Sequence, residues 1–352
     1  MKQRHAILGF VITFCVFSPC DGFGQDLREK LTSVMEQQKN KGFNGQVVVR
    51  WGGQNVLNTA VGISDPTAER PVSVDSLFYI GSVAKVITSA TALQLSDEGL
   101  LNLDASLKEY LPGLPSDKHG ITIRHLLAHQ SGLPPNHDKP LQMLSRDEFV
   151  TWVLRQKLSF EPGKGWAYSN VGYSLLAAVI EHVAEGSFQD VVRDRVLSKA
   201  KMNSTFFLDE LDDQRRPLLT VGKGPMCEEF NLSGRIDDFE STWLRYGPGA
   251  MVSSATDLAK LCEAIKEGRV YNANALKLAT TPVRDGWGLG WRLSQTRKRT
   301  PLQYHDGGFA GFHSLVALMP SENAFVIVLS NQEKGAEPVA KALLDVLMTH
   351  SP

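Results

Sequence analysis

The chain has 352 residues, and its 37 lysines and arginines almost balance 38 aspartates and glutamates, for a formal net charge of −1. So even a balance argues against a nucleic-acid partner, which would want a strong basic patch. The length suits an α/β body with a helical insertion, and the two cysteines beyond residue 24, Cys227 and Cys262, are too few for a disulfide scaffold at this size.

The first residues read as an address. Lys2 and Arg4 give a positive start, an apolar run follows from Ala6 to Phe17, and the small residues Gly22 and Gly24 offer a cleavage site before Gln25. This is the three-part pattern of a secretory signal, and the run is shorter than the roughly 20 apolar residues a spanning helix needs. Residues 1–24 are therefore expected to be a signal peptide, with 25–352 exported to the periplasm or the medium. Cys20 offers a lipid-attachment alternative, although Phe17, Ser18 and Pro19 make a poor context for it. No later segment is long and apolar enough to span a bilayer, so stable membrane insertion is not expected.

An amphipathic helix is expected near Asp26–Gln38, followed by strands Gly45–Trp51 and Gln54–Val61 around a tight turn at Gly52-Gly53. Helical patterns then cover Val83–Leu95, Ile123–Ala128, Arg146–Leu158, Val171–Ala184 and Phe188–Ala200. Cys262 shares a helical apolar stripe with Leu258, Leu261 and Ile265, which favours a buried thiol over a disulfide with Cys227. Leu315–Met319 and Ala324–Leu329 are apolar, β-rich runs joined by Pro320-Ser321-Glu322-Asn323. A last helix is expected near Pro338–Met348, with the proline close to its start, where a missing N–H costs nothing. The expected fold class is α/β: an antiparallel sheet flanked by helices, built from both chain ends (about 25–80 and 250–352), with an inserted all-helical part (about 81–249). A site is expected in the cleft between the two.

The chemistry starts at the helix after Gly81. From Val83 to Leu95 its only charged residue is Lys85. A charged lysine is costly in such an apolar helix unless paired, and the helix dipole disfavours a cation in the first turn. Ser82 precedes Lys85 by three residues, so the two share a face about one turn apart. Ser82 also lies at the positive helix start, where backbone N–H groups can hold an oxyanion. A second Ser-x-x-Lys, Ser198-Lys199-Ala200-Lys201, lies among Arg193, Asp194 and Arg195, and Lys201 reads as a solvated lysine at a helix end. Tyr168-Ser169-Asn170 leads into an apolar helix. His305-Asp306-Gly307 opens a glycine-rich strand start running through Gly308 to Gly311.

Taken together, Ser82-Val83-Ala84-Lys85, Tyr168-Ser169-Asn170 and His305-Asp306-Gly307 resemble, in order, the three motifs of serine β-lactamases and DD-peptidases. The tyrosine in the second motif points to the class C β-lactamase and penicillin-binding protein branch, with its carboxypeptidase and esterase relatives. Ile123-Arg124-His125-Leu126-Leu127-Ala128-His129-Gln130-Ser131-Gly132-Leu133-Pro134 and Gly286-Trp287-Gly288-Leu289-Gly290-Trp291 are further echoes. The resemblance implies that Ser82 attacks a carbonyl and forms an acyl-enzyme, with Lys85 and Tyr168 sharing the proton transfers. It further implies that Asn170, His305, Asp306 and Gly307 bind substrate and that the N–H groups of Ser82 and Gly308 form the oxyanion hole. No metal or organic cofactor is implied, and the substrate is a small molecule or peptide: a D-amino-acid peptide, a small ester or a β-lactam.

One departure stands in the third motif, whose common form is Lys-Thr-Gly or Lys-Ser-Gly. Here His305 replaces the lysine, and Asp306 puts a negative charge where a hydroxyl normally meets the substrate carboxylate. If Asp306 faces the cleft, like charges at ~4 Å and an effective ε near 20 repel by roughly 4 kcal/mol, which disfavours penicillins. His125 and His129 are four apart on a predicted helix, but Leu126 replaces the glutamate of a zinc motif, so both are expected to be structural. Gly-x-Ser-x-Gly does not occur, which removes the α/β-hydrolase nucleophile elbow. The rival from another class is a binding protein of the same fold, a penicillin-binding sensor or cell-wall scaffold that is acylated without turnover.

Overall fold

The computed structural model describes residues 22–139, 142–225, 227 and 242–350. Residues 1–21 of the expected leader, with Lys2, Arg4, Ala6–Phe17 and Cys20, lie outside them, while Gly22–Gly24 open the first helix. The first helix, α1, covers Gly22–Asn40. It is followed by the hairpin β1 (Gly45–Trp51) and β2 (Gln54–Val61), whose two-residue turn places Gly52 and Gly53 at φ +57° and +86°. Both values are left-handed, which glycine adopts without steric cost and which matches the twist of the flanking strands.

Three short strands follow on this side of the chain: β3 (Ile63–Asp65), β4 (Arg70–Pro71) and β5 (Phe78–Tyr79). Later come β6 (Phe206–Phe207), β7 (Met251–Ser253), β8 (Arg292–Gln295), β9 (Pro301–Phe309), β10 (Phe312–Met319) and β11 (Ala324–Ser330). The main sheet has six strands in the order β2-β1-β11-β10-β9-β8, and every neighbouring pair is antiparallel. Strands from both chain ends therefore form one sheet, joined where β1 meets β11 with Val47 opposite Val328.

Strands β10 and β11 are buried throughout, because each face of the sheet carries its own core. Leu315, Ala317, Met319, Val326 and Val328 meet α1 and the C-terminal helix Ala336–Thr349 on one side. Val316, Leu318, Ile327 and Leu329 belong to the larger core on the other side, which also holds the helix Ala255–Lys266 and the helical part of the chain. Period-two alternation with both faces covered reads as a continuous apolar run, as these strands do.

The helical part contains α2 (Ala84–Asp97), α3 (Ile123–Leu127), α4 (Arg146–Arg155) and α5 (Asn170–Ala184). From Ala84 to Leu95 every residue of α2 is buried, so this helix is the axis on which the others pack. Some predicted boundaries move. Helix α4 stops at Arg155 because Gln156 turns extended (φ −75°, ψ 142°). Helix α3 ends before His129, which sits at φ +59°, so His125 and His129 do not share a helix. The predicted segment Phe188–Ala200 contains a π-helical stretch at Arg193–Leu197. Cys227 and Cys262 are both buried and are not joined to one another, and burial pushes the Cys262 thiol well up. Among the described residues, no helix is long and apolar enough to cross a membrane.

Because β11 lies at the centre of the sheet and Ile327 is fully buried in the larger core, Ile327→Ala should destabilise the protein by about 2–5 kcal/mol, read as a lower denaturation midpoint with an unchanged denaturant slope.

Candidate active site

Ser82 is placed by two sheets. The short strand β5 pairs with β7 (Tyr79 opposite Val252), and the Ile80 N–H donates to Met251 O at 3.1 Å. This delivers Gly81-Ser82-Val83 as a single 3₁₀ turn leading into α2. From the other side β9 passes close by: the Ser314 hydroxyl on β10 donates to Ile80 O at 2.6 Å and to Gly307 O at 3.3 Å. A Cβ on Gly307 would stand 2.2 Å from Ile80 O and 2.7 Å from Ser82 N, and one on Gly81 would stand 2.9 Å from Gly308 N. Glycine at both places lets the backbone N–H groups of Ser82 and Gly308 lie near one another beside the Ser82 hydroxyl.

Lys85, one turn on, is fully buried. Its Nζ lies 2.9 Å from Ser82 Oγ, 2.7 Å from Asn170 Oδ1 and 3.1 Å from Pro248 O. Burial lowers its pKa well below that of a free lysine, partly offset by the charge of Asp306. Asn170 is held in turn, its Nδ2 donating to Asn136 Oδ1 at 2.7 Å. The cap of α5 is Ser169, whose hydroxyl accepts the Gly172 N–H at 2.9 Å. The Asn170 side chain is thereby left for Lys85. The Tyr168 ring lies 4.9 Å from Lys85 Nζ. Burial raises the Tyr168 pKa above the usual phenol value, partly opposed by the neighbouring Ser82 hydroxyl, so the phenol stays protonated at neutral pH.

The third motif is split by strand alternation. It lies in the second half of β9, not at a strand start, since β9 begins at Pro301. His305 and Gly307 face the larger core and Lys85. Asp306 lies opposite Leu315, on the face that Leu302 and Tyr304 share with the second core. There its carboxylate is 3.9 Å from the Arg292 guanidinium, each side chain nearly half exposed (46% and 44%). Alternation turns Asp306 away from His305 and toward Arg292, the condition under which its charge is not set against a substrate carboxylate. His305 is buried and its Nδ1 lies 2.6 Å from Asp306 O, which fixes the proton on Nδ1. Burial, aided by Lys85, pushes its pKa down to about 4, so it is neutral at pH 7.

Sequence reasoning missed the wall behind Tyr168. The His129 ring lies 4.4 Å from the Tyr168 ring and 4.9 Å from Trp287, and Trp287 lies 5.4 Å from His305. His129 Nδ1 accepts the Ser169 N–H at 3.2 Å, and burial lowers its pKa well below that of a free imidazole. The signal available was that His129 and Trp287 fall in the two extra motifs noted above. Pro248 and Asn136 gave none, since a proline carbonyl and a loop asparagine have no local pattern. The rival Ser198 and Lys201 are exposed, and Lys201 closes its helix at φ +58°, so the structure brings no second serine–lysine pair together there.

Comparison with known proteins bears on the family and the fold. A family model described as Beta-lactamase matches residues 27–348. Penicillin-binding protein 4* of Bacillus subtilis is 29% identical over 337 residues, covering 89% of this chain and 74% of the relative. A solved beta-lactamase/D-alanine carboxypeptidase from Pseudomonas syringae superposes with a TM-score of 0.79 at 18% identity, over 93% of this chain and 99% of that one. A D-amino acid amidase from Ochrobactrum anthropi superposes with a TM-score of 0.78 at 21% identity, over 92% and 99%.

The close approach at Gly307 gives a direct test. In Gly307→Ala the methyl group must push β9 away from Ser82 N, and a displacement near 1 Å should slow labelling of Ser82 by a fluorophosphonate about a hundredfold while the protein still melts cooperatively.

Proposed function

The chain belongs to the beta-lactamase family, and on that premise we propose that it is a serine hydrolase that forms an acyl-enzyme on Ser82. The observation that carries this reading is the coordination of Lys85 Nζ. Two of its three partners, Asn170 Oδ1 and Pro248 O, can only accept. A neutral amine has two N–H groups for them and one lone pair, which then faces the Ser82 hydroxyl. Burial favours the neutral form, which suits the amine to act as a base.

In this mechanism Ser82 Oγ attacks the carbonyl carbon of an amide or ester as its proton passes to Lys85 Nζ. The oxyanion is met by the N–H groups of Ser82 and Gly308 at the helix start. Tyr168, kept protonated by burial, gives its proton to the departing amine or alcohol and is refilled from Lys85. The acyl group remains on Ser82. Water then attacks the ester carbonyl, its proton returning through the same pair, and Ser82 Oγ leaves carrying a proton again. Asn170 keeps one Nδ2 hydrogen for the substrate amide. Neutral His305 offers an Nε2 lone pair where the common motif has a charged lysine. The substrate class is a D-amino-acid peptide, a small ester or a β-lactam, and cleavage of a secretory leader at residues 1–24 would put the reaction outside the cytoplasm.

Ser82→Ala should abolish labelling by a fluorophosphonate or penicillin probe, and Ser198→Ala should leave it unchanged. Labelling that survives the first change and vanishes with the second would overturn the assignment. Steady-state hydrolysis separates an enzyme from a sensor, which would accumulate a stable adduct on Ser82. The acylation rate should rise with pH through the lowered Lys85 pKa, because the charged form that prevails below it has no lone pair. Lys85→Arg cannot lose its proton and should be slower by more than about a hundredfold. An active arginine variant, or a flat pH profile, would count against the base role.

A further inference from the structure

Two peptide groups flank Tyr168, and one residue holds both. The Ala167 N–H donates to His129 O at 3.0 Å, and the Ser169 N–H donates to His129 Nδ1 at 3.2 Å. The imidazole also lies against the phenol, with ring centres 4.4 Å apart and planes 34° apart. His129 therefore grips the backbone on either side of Tyr168 and the ring between them.

This grip uses a backbone conformation that few side chains adopt. His129 sits at φ +59°, a left-handed position that is strained for a residue with a Cβ. There its carbonyl and its side chain both meet the 167–169 segment. The rest of the second motif has other anchors: the Ser169 hydroxyl donates to Pro134 O at 2.7 Å and the Asn170 N–H to Pro135 O at 2.8 Å. What His129 alone provides is the hold on the two neighbours of the tyrosine.

The hydrogen bond from Ser169 also sets the tautomer. A backbone N–H can only donate, so Nδ1 keeps its lone pair and the ring proton is on Nε2. Burial keeps the ring neutral at pH 7. His129 is 1% exposed and does not line the cleft beside Ser82, so it does not touch substrate there. We propose that His129 is the positioning residue for proton donation by Tyr168, its Nδ1 lone pair and its ring fixing the phenol. This rests on the acyl-enzyme reading of Ser82, with Tyr168 as the proton donor. As the bond from the carbonyl carbon to the leaving oxygen breaks, the Tyr168 proton passes to that oxygen. The proton that Lys85 took from Ser82 then refills the phenol. A leaving group that is stable as an anion needs no such proton, so a misplaced phenol slows loss of an alkoxide far more than loss of a nitrophenolate.

The test gives the intact protein the 4-nitrophenyl and ethyl esters of butyric acid, which share one acyl group, and compares kcat/KM, which reports acylation. His129→Gly and His129→Asn both tolerate a positive φ, but only asparagine offers an acceptor to the Ser169 N–H. The glycine variant should lose at least about tenfold more on the ethyl ester than on the nitrophenyl ester, and the asparagine variant should recover most of that difference. The double variant His129→Gly, Tyr168→Phe should be hardly slower on the ethyl ester than Tyr168→Phe alone, because the two residues act as a unit. Thermal melts check that each variant folds. Equal losses on the two esters, an asparagine variant no better than glycine, or additive losses in the double variant would overturn the inference. Nitrogen NMR shifts of the wild-type imidazole keep the test open where a variant does not fold: Nε2 should carry the proton, and a protonated Nδ1 would overturn the inference by itself. If intact mass shows that neither ester nor a fluorophosphonate modifies Ser82, the serine-hydrolase reading fails, and the role of His129 falls with it.

Discussion

An ammonium ion cannot be solvated where Lys85 stands. The helix around it is buried from Ala84 to Leu95, and an unpaired charge in such a place costs several kcal/mol even after relaxation. Burial favours the neutral amine, and the nitrogen makes three directional contacts, to Ser82, Asn170 and Pro248, from three separate segments of chain. Those contacts decide much of the site. They turn the Asn170 side chain inward while Ser169 caps α5, and they hold the Gly247–Gly249 turn against α2. Replacing the amine with an apolar group would leave Asn170 Oδ1 and Pro248 O with one donor fewer in a region closed to water, a penalty of the kind buried polar groups pay when orphaned.

The serine–lysine pair was legible in the sequence because it depends on one helical turn, and one turn is a local spacing. The central strands were legible for a similar reason: with both faces covered, Leu315–Met319 and Ala324–Leu329 have no polar side to show. What resisted reading was set by backbone conformation or by distant carbonyls. No periodicity announces that His129 leaves its helix at φ +59° and packs on Tyr168. The first half of β9, Pro301–Tyr304, mixes exposed and half-buried residues, so the third motif looked like the beginning of a strand when it lies near the end. Pro248 contributes an oxygen that every residue possesses, and Arg292 meets Asp306 only because β8 lies beside β9.

The third motif also shows how a sheet separates two charges that are adjacent in sequence. His305 is turned into a dry pocket against Trp287, where protonation is suppressed, while Asp306 is turned toward solvent and Arg292. A one-residue slip of β9 would exchange these environments. It would bury an aspartate against Lys85, and the attraction between them would stabilise the ammonium form of the base. Strand register is in this sense part of the proton chemistry, and the Ser314 hydrogen bonds to Ile80 O and Gly307 O help to pin it.

The pairing of β1 with β11 bears on how the chain is made. Gly45–Trp51 emerges early in synthesis, and its partner Ala324–Ser330 lies some 280 residues later, by the register that sets Gly45 opposite Ser330. The first hairpin must therefore wait, with Val47 and Val49 exposed on an unpaired edge, until almost the whole polypeptide is available. Closing so large a loop costs entropy before any contact repays it, which makes long-range sheet pairing intrinsically slow and open to aggregation. The central sheet cannot lock before the last strand has arrived.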